Sequence, residues 1–198
     1  MRASRSGLAI AALLVQPATA HAHLVNTGLG PFYDGVSHFG LTPEDFLPAL
    51  ALAFLAGQRG SRAGRATLFA LPGAWLLGGL AGLAFPTIST ATALTTVSFV
   101  LLGGLVAAEA PLGPGWVAGL AVVLGLLHGT LNGAAMSEAR LGALGLAGIV
   151  ATLFVVTALA AAMVVAIRVP WGRIAVRVAG SWIAAVGLLL LGWALRGA

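Results

Sequence analysis

The feature that most limits this chain is a succession of continuous apolar stretches, near residues 43–58, 66–85, 88–108, 115–133, 141–167 and 178–195, joined by short polar turns. Stretches of that length suit a lipid core, where each unpaired backbone N–H or C=O costs several kcal/mol. Only helices and closed barrels satisfy the backbone there, and runs that are continuous rather than alternating select helices. The expected fold is therefore all-α, a polytopic membrane bundle of about six transmembrane helices occupying residues 43–198. The composition agrees: 60% of residues are hydrophobic, 8% are charged and the mean hydropathy is +1.04.

Residues 1–20 read as a signal peptide. Arg2 and Arg5 make a basic start, Leu8 to Val15 an apolar run too short to span, and Ala18-Thr19-Ala20 a small-x-small cleavage site. Export of the new N-terminus orients the bundle, with residues 21–42 as a periplasmic His/Asp-containing segment. The loop arginines support that orientation: Arg59, Arg62, Arg65, Arg168, Arg173 and Arg177 fall inside, against Arg140 and Arg196 outside. Removing the signal leaves eight arginines against five acids, a balance that points to membrane anchoring and not to nucleic acid. The chain has no lysine and no cysteine, which excludes a thiolate metal site, a cysteine nucleophile and a lysine-bearing ATP loop.

Glycines at helical spacing, Gly115/Gly119 and Gly125/Gly129/Gly133, predict close helix packing, and Pro48 predicts a bend in the first apolar helix. The polar residues gather at one side of this topology. Cleavage after Ala20 exposes His21-Ala22-His23, and a histidine third from a free amine can complete a square-planar nitrogen set for Cu(II) or Ni(II); two solvated histidines are the alternative. Asp34 and His38 stand four apart and share a face of a short helix, either as a metal-oriented pair or as a solvated ion pair. Thr42-Pro43-Glu44-Asp45 reads as a helix start with Thr42 as N-cap and Asp45 near a capping-box position. Capping does not require two carboxylates, so metal binding by Glu44 and Asp45 stays open beside it. His128 and Asn132, again four apart, must find partners inside the bundle, as an interhelical polar pair or as ligands. Glu109 is a cytoplasmic exit ligand or an interfacial carboxylate.

These residues carry a resemblance. His23-Leu24-Val25, Gly28 through Gly35, His38, and Pro43-Glu44-Asp45 leading into an apolar helix resemble the HupE/UreJ family of bacterial nickel or cobalt permeases. The family shows a His-Pro-x-x-Gly-x-Asp-His type motif entering the first helix and a later His-Gly-x-x-His-Gly motif. His38 fits the first histidine, Glu44 or Asp45 the acid, and His128-Gly129-Thr130-Leu131-Asn132-Gly133 the second motif. Phe39 replaces the proline, Phe46 stands where the closing histidine would align, and Asn132 stands where a histidine is usual. The resemblance implies a secondary permease of the bacterial inner membrane that imports Ni(II) or Co(II) as cargo, with no tightly bound cofactor. The metal residues would be His21, His23, Asp34, His38, Glu44, Asp45, His128 and Asn132. Import would be passive, ion-coupled or driven by a separate energising subunit, and a homo-oligomer is compatible. The alternatives are a non-transporting accessory protein for hydrogenase or urease assembly or metal sensing, and an intramembrane enzyme. The enzyme lacks a Gly-x-Ser-x-Gly or His-Glu-x-x-His setting, with Ser37, Ser89, Ser98, Ser137 and Ser181 all outside one.

Overall fold

The computed structural model describes residues 26–86, 92–194 and 196. The predicted signal peptide, His21 and His23 lie outside the described residues. Within them the chain is all-helical: α1 (Pro31–Leu41), α2 (Pro43–Gln58), α3 (Ser61–Ala84), α4 (Thr92–Ala107), α5 (Pro114–Glu138), α6 (Gly142–Ala166) and α7 (Pro170–Ala194). By length and composition α3, α5, α6 and α7 can each cross a membrane, and α1 with α2 counts as a fifth span if the bent pair is taken as one. The chain is thus a polytopic helical membrane protein, as its apolar runs predict.

Among the described residues, two of the six predicted helices are shorter than a full crossing. α2 has 16 residues, about 24 Å at 1.5 Å per residue, against a hydrocarbon core of about 30 Å. α4 is likewise a shorter apolar helix. α2 can be short because it is the buried centre of the bundle: Ala49 and Ala51 to Gly57 are all buried, and it packs against α3, α4, α5 and α6.

The stretch before Pro43, expected as a polar segment, holds the additional helix α1, which meets α2 at a bend of 72°. The bend falls at Thr42, whose extended backbone (φ −101°, ψ 95°) follows from the proline after it. Pro48, the predicted bend, lies inside α2, which continues as helix past it to Gln58. α1 packs on the start of α6 backbone to backbone: a Cβ on Gly35 would overlap the Gly145 carbonyl, and one on Gly148 the Phe32 carbonyl.

Glycine also sets the pairing of α3 with α5. A Cβ on Gly129 would overlap the Trp75 carbonyl and one on Gly133 the Gly79 carbonyl, so these two parallel helices touch through their main chains, as the spacing predicts. Gly115 and Gly119 do not share this role, since a Cβ on either meets nothing within 4 Å. They precede the stretch where α5 meets α3. α4 packs antiparallel on α7, with Gly103 against Ala184 and Gly187 against Phe99. This up-down order puts Arg59, Arg62, Arg65, Arg168, Arg173 and Arg177 at one end of the bundle. α1, the start of α2 and the end of α5 lie at the other.

Candidate metal-capture site

Asp45 sits in the first turn of α2, yet it does not cap that helix. The Thr42 side chain makes no capping bond, and the Asp45 N–H is satisfied by the Thr42 carbonyl at 3.1 Å. The Asp45 carboxylate turns inward instead and is 5% exposed. Its Oδ1 lies 2.8 Å from His128 Nδ1, and its Oδ2 accepts from Asn132 Nδ2 at 2.8 Å. His128 and Asn132, one turn apart on α5, are 0% and 4% exposed. Two donors from one helix therefore grip one carboxylate of another, which is how a charge can be kept in a bundle interior.

His38, in the last turn of α1, completes the group. The bend at Thr42 folds α1 back so that His38 Nε2 stands 4.0 Å from Asp45 Oδ2, with Asn132 as its other neighbour. That separation is too long for a hydrogen bond but within reach of two ligands each about 2.1 Å from one ion. The three predicted residues His38, Asp45 and His128 do converge in space.

Their lone pairs do not converge equally. A carboxylate only accepts, so Nδ1 carries the proton in the His128–Asp45 bond and the lone pair of a neutral His128 lies on Nε2. Nε2 faces away from Asp45, toward Ser98 Oγ at 3.3 Å. Among the described residues, no three His, Asp or Glu side chains are placed to close around a metal ion. Beside the His38 Nε2–Asp45 Oδ2 pair stands the Asn132 amide, whose nitrogen reaches Asp45 Oδ2 and whose Oδ1 is left over. That oxygen is a buried acceptor with no partner, because Asn132 spends its amide nitrogen on Asp45 and on the His128 carbonyl at 3.0 Å. Such an orphaned oxygen beside an imidazole and a carboxylate suits a divalent cation through N and O ligands.

An aromatic wall closes the site. Trp75 lies 5.4 Å from the His128 ring, Phe39 5.8 Å from Trp75, and Phe46 5.9 Å from Phe39. Two of the three family departures, Phe39 and Phe46, are thus packing residues of this wall. Ser98 faces the site although no catalytic serine motif surrounds it. The available signal was a pair of polar residues, Thr95 and Ser98, three apart in an apolar helix.

Ser98, His128 and Asp45 also form a serine–histidine–carboxylate line. Ser98 Oγ has one proton and two acceptors in reach, the Thr95 carbonyl at 2.5 Å and His128 Nε2 at 3.3 Å, and Ser98 lies inside α4, where its own backbone N–H is taken up by the helix. An acyl-transfer site needs free donors for a developing oxyanion, and this position offers none from its own helix.

The other candidates lie elsewhere. Asp34 accepts from the Thr27 N–H at 2.7 Å and the Thr27 hydroxyl at 2.6 Å rather than pairing with His38. Glu44 points out, exposed. Glu109 is at the arginine end, where Arg173 and Arg59 both contact its Oε1.

The chain matches the family model described as HupE / UreJ protein over residues 9–190. No curated protein and no solved structure matches it. That family is associated with nickel or cobalt uptake or with accessory roles, and it is not a family of enzymes. A match over nearly the whole length, together with the pairing of both motifs through Asp45, identifies the chain as a member of the HupE/UreJ family.

Proposed function

We propose that the chain is a secondary permease of a bacterial inner membrane that captures Ni(II) or Co(II) at the outward end of the bundle and passes it to the arginine-rich cytoplasmic end. The observation that carries this reading is the buried Asp45 carboxylate, held by His128 and Asn132 with His38 at 4.0 Å and an unpartnered amide oxygen beside it. In this reading His38, Asp45 and Asn132 bind the ion. His128 orients Asp45, as outer partners of metal ligands do. Entry is favoured by an inside-negative potential, worth about 2.3 kcal/mol per charge per 100 mV and about twice that for a dication. His21 and His23, if signal cleavage exposes them, would collect the ion at the surface.

A second reading is an accessory protein that senses or delivers metal without transporting it. It is favoured by Asn132 standing where the family motif has histidine, which leaves the site poor in imidazole. Uptake of radiolabelled nickel and cobalt in transporter-deficient cells separates the two. The permease reading expects uptake by the parent and its loss in His38→Ala and Asp45→Ala at matched expression. No uptake of either ion by the parent leaves the accessory reading.

A further inference from the structure

Hydroxyls buried in helical bundles usually satisfy themselves by donating to the carbonyl one turn back. Even the half-buried Thr130 and Thr152 do so, to Leu126 at 2.7 Å and to Gly148 at 2.9 Å. Thr67 on α3 and Thr157 on α6 do not. Both are 0% exposed, and neither Oγ1 has a hydrogen-bond partner. Each therefore carries a desolvation penalty that nothing in the bundle offsets.

The two residues share one level of the molecule. α3 and α6 run antiparallel, with Gly64 against Ala161 and Gly79 against Leu146, a register that sets Thr67 level with Thr157. α2 runs parallel to α6, with Gly57 against Ala161 and Val164, which brings the same level near Ala53. Ala49, Ala53, Ala56 and Gly57, all buried, share by helical spacing the face of α2 on which Gly57 meets α6.

Bare oxygens also stand at both ends of α2. Asn132 Oδ1 lies beside Asp45 at the start. At the other end Gln58 donates its amide to the Val106 carbonyl at 3.1 Å and leaves Oε1 buried with no partner. From Asp45 to Gln58 is about 20 Å of helix, and the threonine level divides it into steps of about 12 and 8 Å. An ion crossing that length through alanine and leucine alone would be stripped of every ligand, and oxygen stations remove that barrier.

We propose that Thr67 and Thr157 form a midway oxygen station on a cation route that follows the small side chains of α2 from Asp45 to Gln58. The proposal rests on the permease reading and deepens it. Neutral hydroxyls suit a midway position because they replace hydration water without trapping the ion, whereas a second carboxylate or imidazole would hold it.

The test replaces each threonine by valine, which keeps the shape and removes the hydroxyl. The Thr67→Val/Thr157→Val double variant is expected to keep or raise the thermal midpoint in detergent. Its maximal uptake rate should fall about tenfold, the worth of one lost polar contact at each transfer, with half-saturation little changed. Serine at both positions should retain uptake. Normal uptake by the double-valine variant overturns the proposal. A second measurement covers poor folding or an inactive parent. The chain has no cysteine, so Thr157→Cys can be probed in membranes with a cationic methanethiosulfonate, using lipid-facing Leu159→Cys as control. Labelling of Thr157→Cys, slowed by nickel, supports the route. If the parent transports neither ion, the metal reading fails and labelling alone decides: labelling of Thr157→Cys but not Leu159→Cys keeps a hydrated cation route, and no labelling ends it.

Discussion

His128 Nδ1 lies 2.8 Å from Asp45 Oδ1, tying α5 to the first turn of α2 across 83 residues of chain. The bond settles how two adjacent carboxylates differ, since Asp45 is buried and gripped while Glu44 is exposed. Asp45→Asn puts an amide nitrogen against one of two donors. Breaking a buried charged pair costs about 3–5 kcal/mol, so the thermal midpoint should drop sharply and uptake should vanish. Glu44→Gln should leave the midpoint within about 0.5 kcal/mol of the parent and retain uptake. Equal losses in the two variants would contradict the distinction drawn between them.

Ser98 acts through His128 and faces the ring from the side opposite Asp45. Ser98→Ala should weaken cation capture by up to about tenfold, the low end of what losing a ligand's own outer partner costs, seen as raised half-saturation with the maximal rate less affected. Ser98→Thr keeps the hydroxyl and should recover most of the loss. A serine nucleophile would not behave this way, because its product would disappear with alanine at any substrate concentration.

The long helices were legible because lipid imposes one rule on every residue of a span, and a run from Gly142 to Ala166 obeys it without reference to anything distant. α1 was not legible as a separate element, since its Asp34, Gly35 and His38 lower its hydropathy and its stability comes from docking on Gly145 and Gly148, more than a hundred residues away. The capping box at Thr42 is a local rule, and it lost to partners on α5 that no local window contains. That His128 and Asn132 need partners inside the bundle was readable from the expense of polar groups in lipid. Which lone pair points where was not, because it depends on the order in which His128 divides its two nitrogens between α2 and α4.

The α3–α5 contact gives a prediction about glycine itself. Gly129 has the Trp75 backbone where a Cβ would go, while Gly119 faces open space. Main chain cannot move aside as a side chain can, so Gly129→Val should cost about 3 kcal/mol or more and tilt Trp75 off His128. Gly119→Val should be tolerated. Thermal unfolding of the purified proteins in detergent compares them, and similar midpoints would rule out the backbone contact.

Asn132→His restores the residue usual in the family motif and tests whether position 132 touches the ion. The imidazole replaces an orphaned amide oxygen with a nitrogen donor beside His38 and Asp45, and it cannot serve Asp45, the His128 carbonyl and a metal together. A lost hydrogen bond of about 1 kcal/mol should lower stability slightly. The gain should fall on ions that prefer nitrogen: nickel stands above manganese in affinity for such ligands, and an added imidazole widens the gap. Nickel uptake should therefore saturate at lower concentration in the variant, and nickel should outcompete manganese more strongly than in the parent. An unchanged preference at normal expression would place position 132 outside the ion's contacts and leave its amide a purely structural clamp on Asp45.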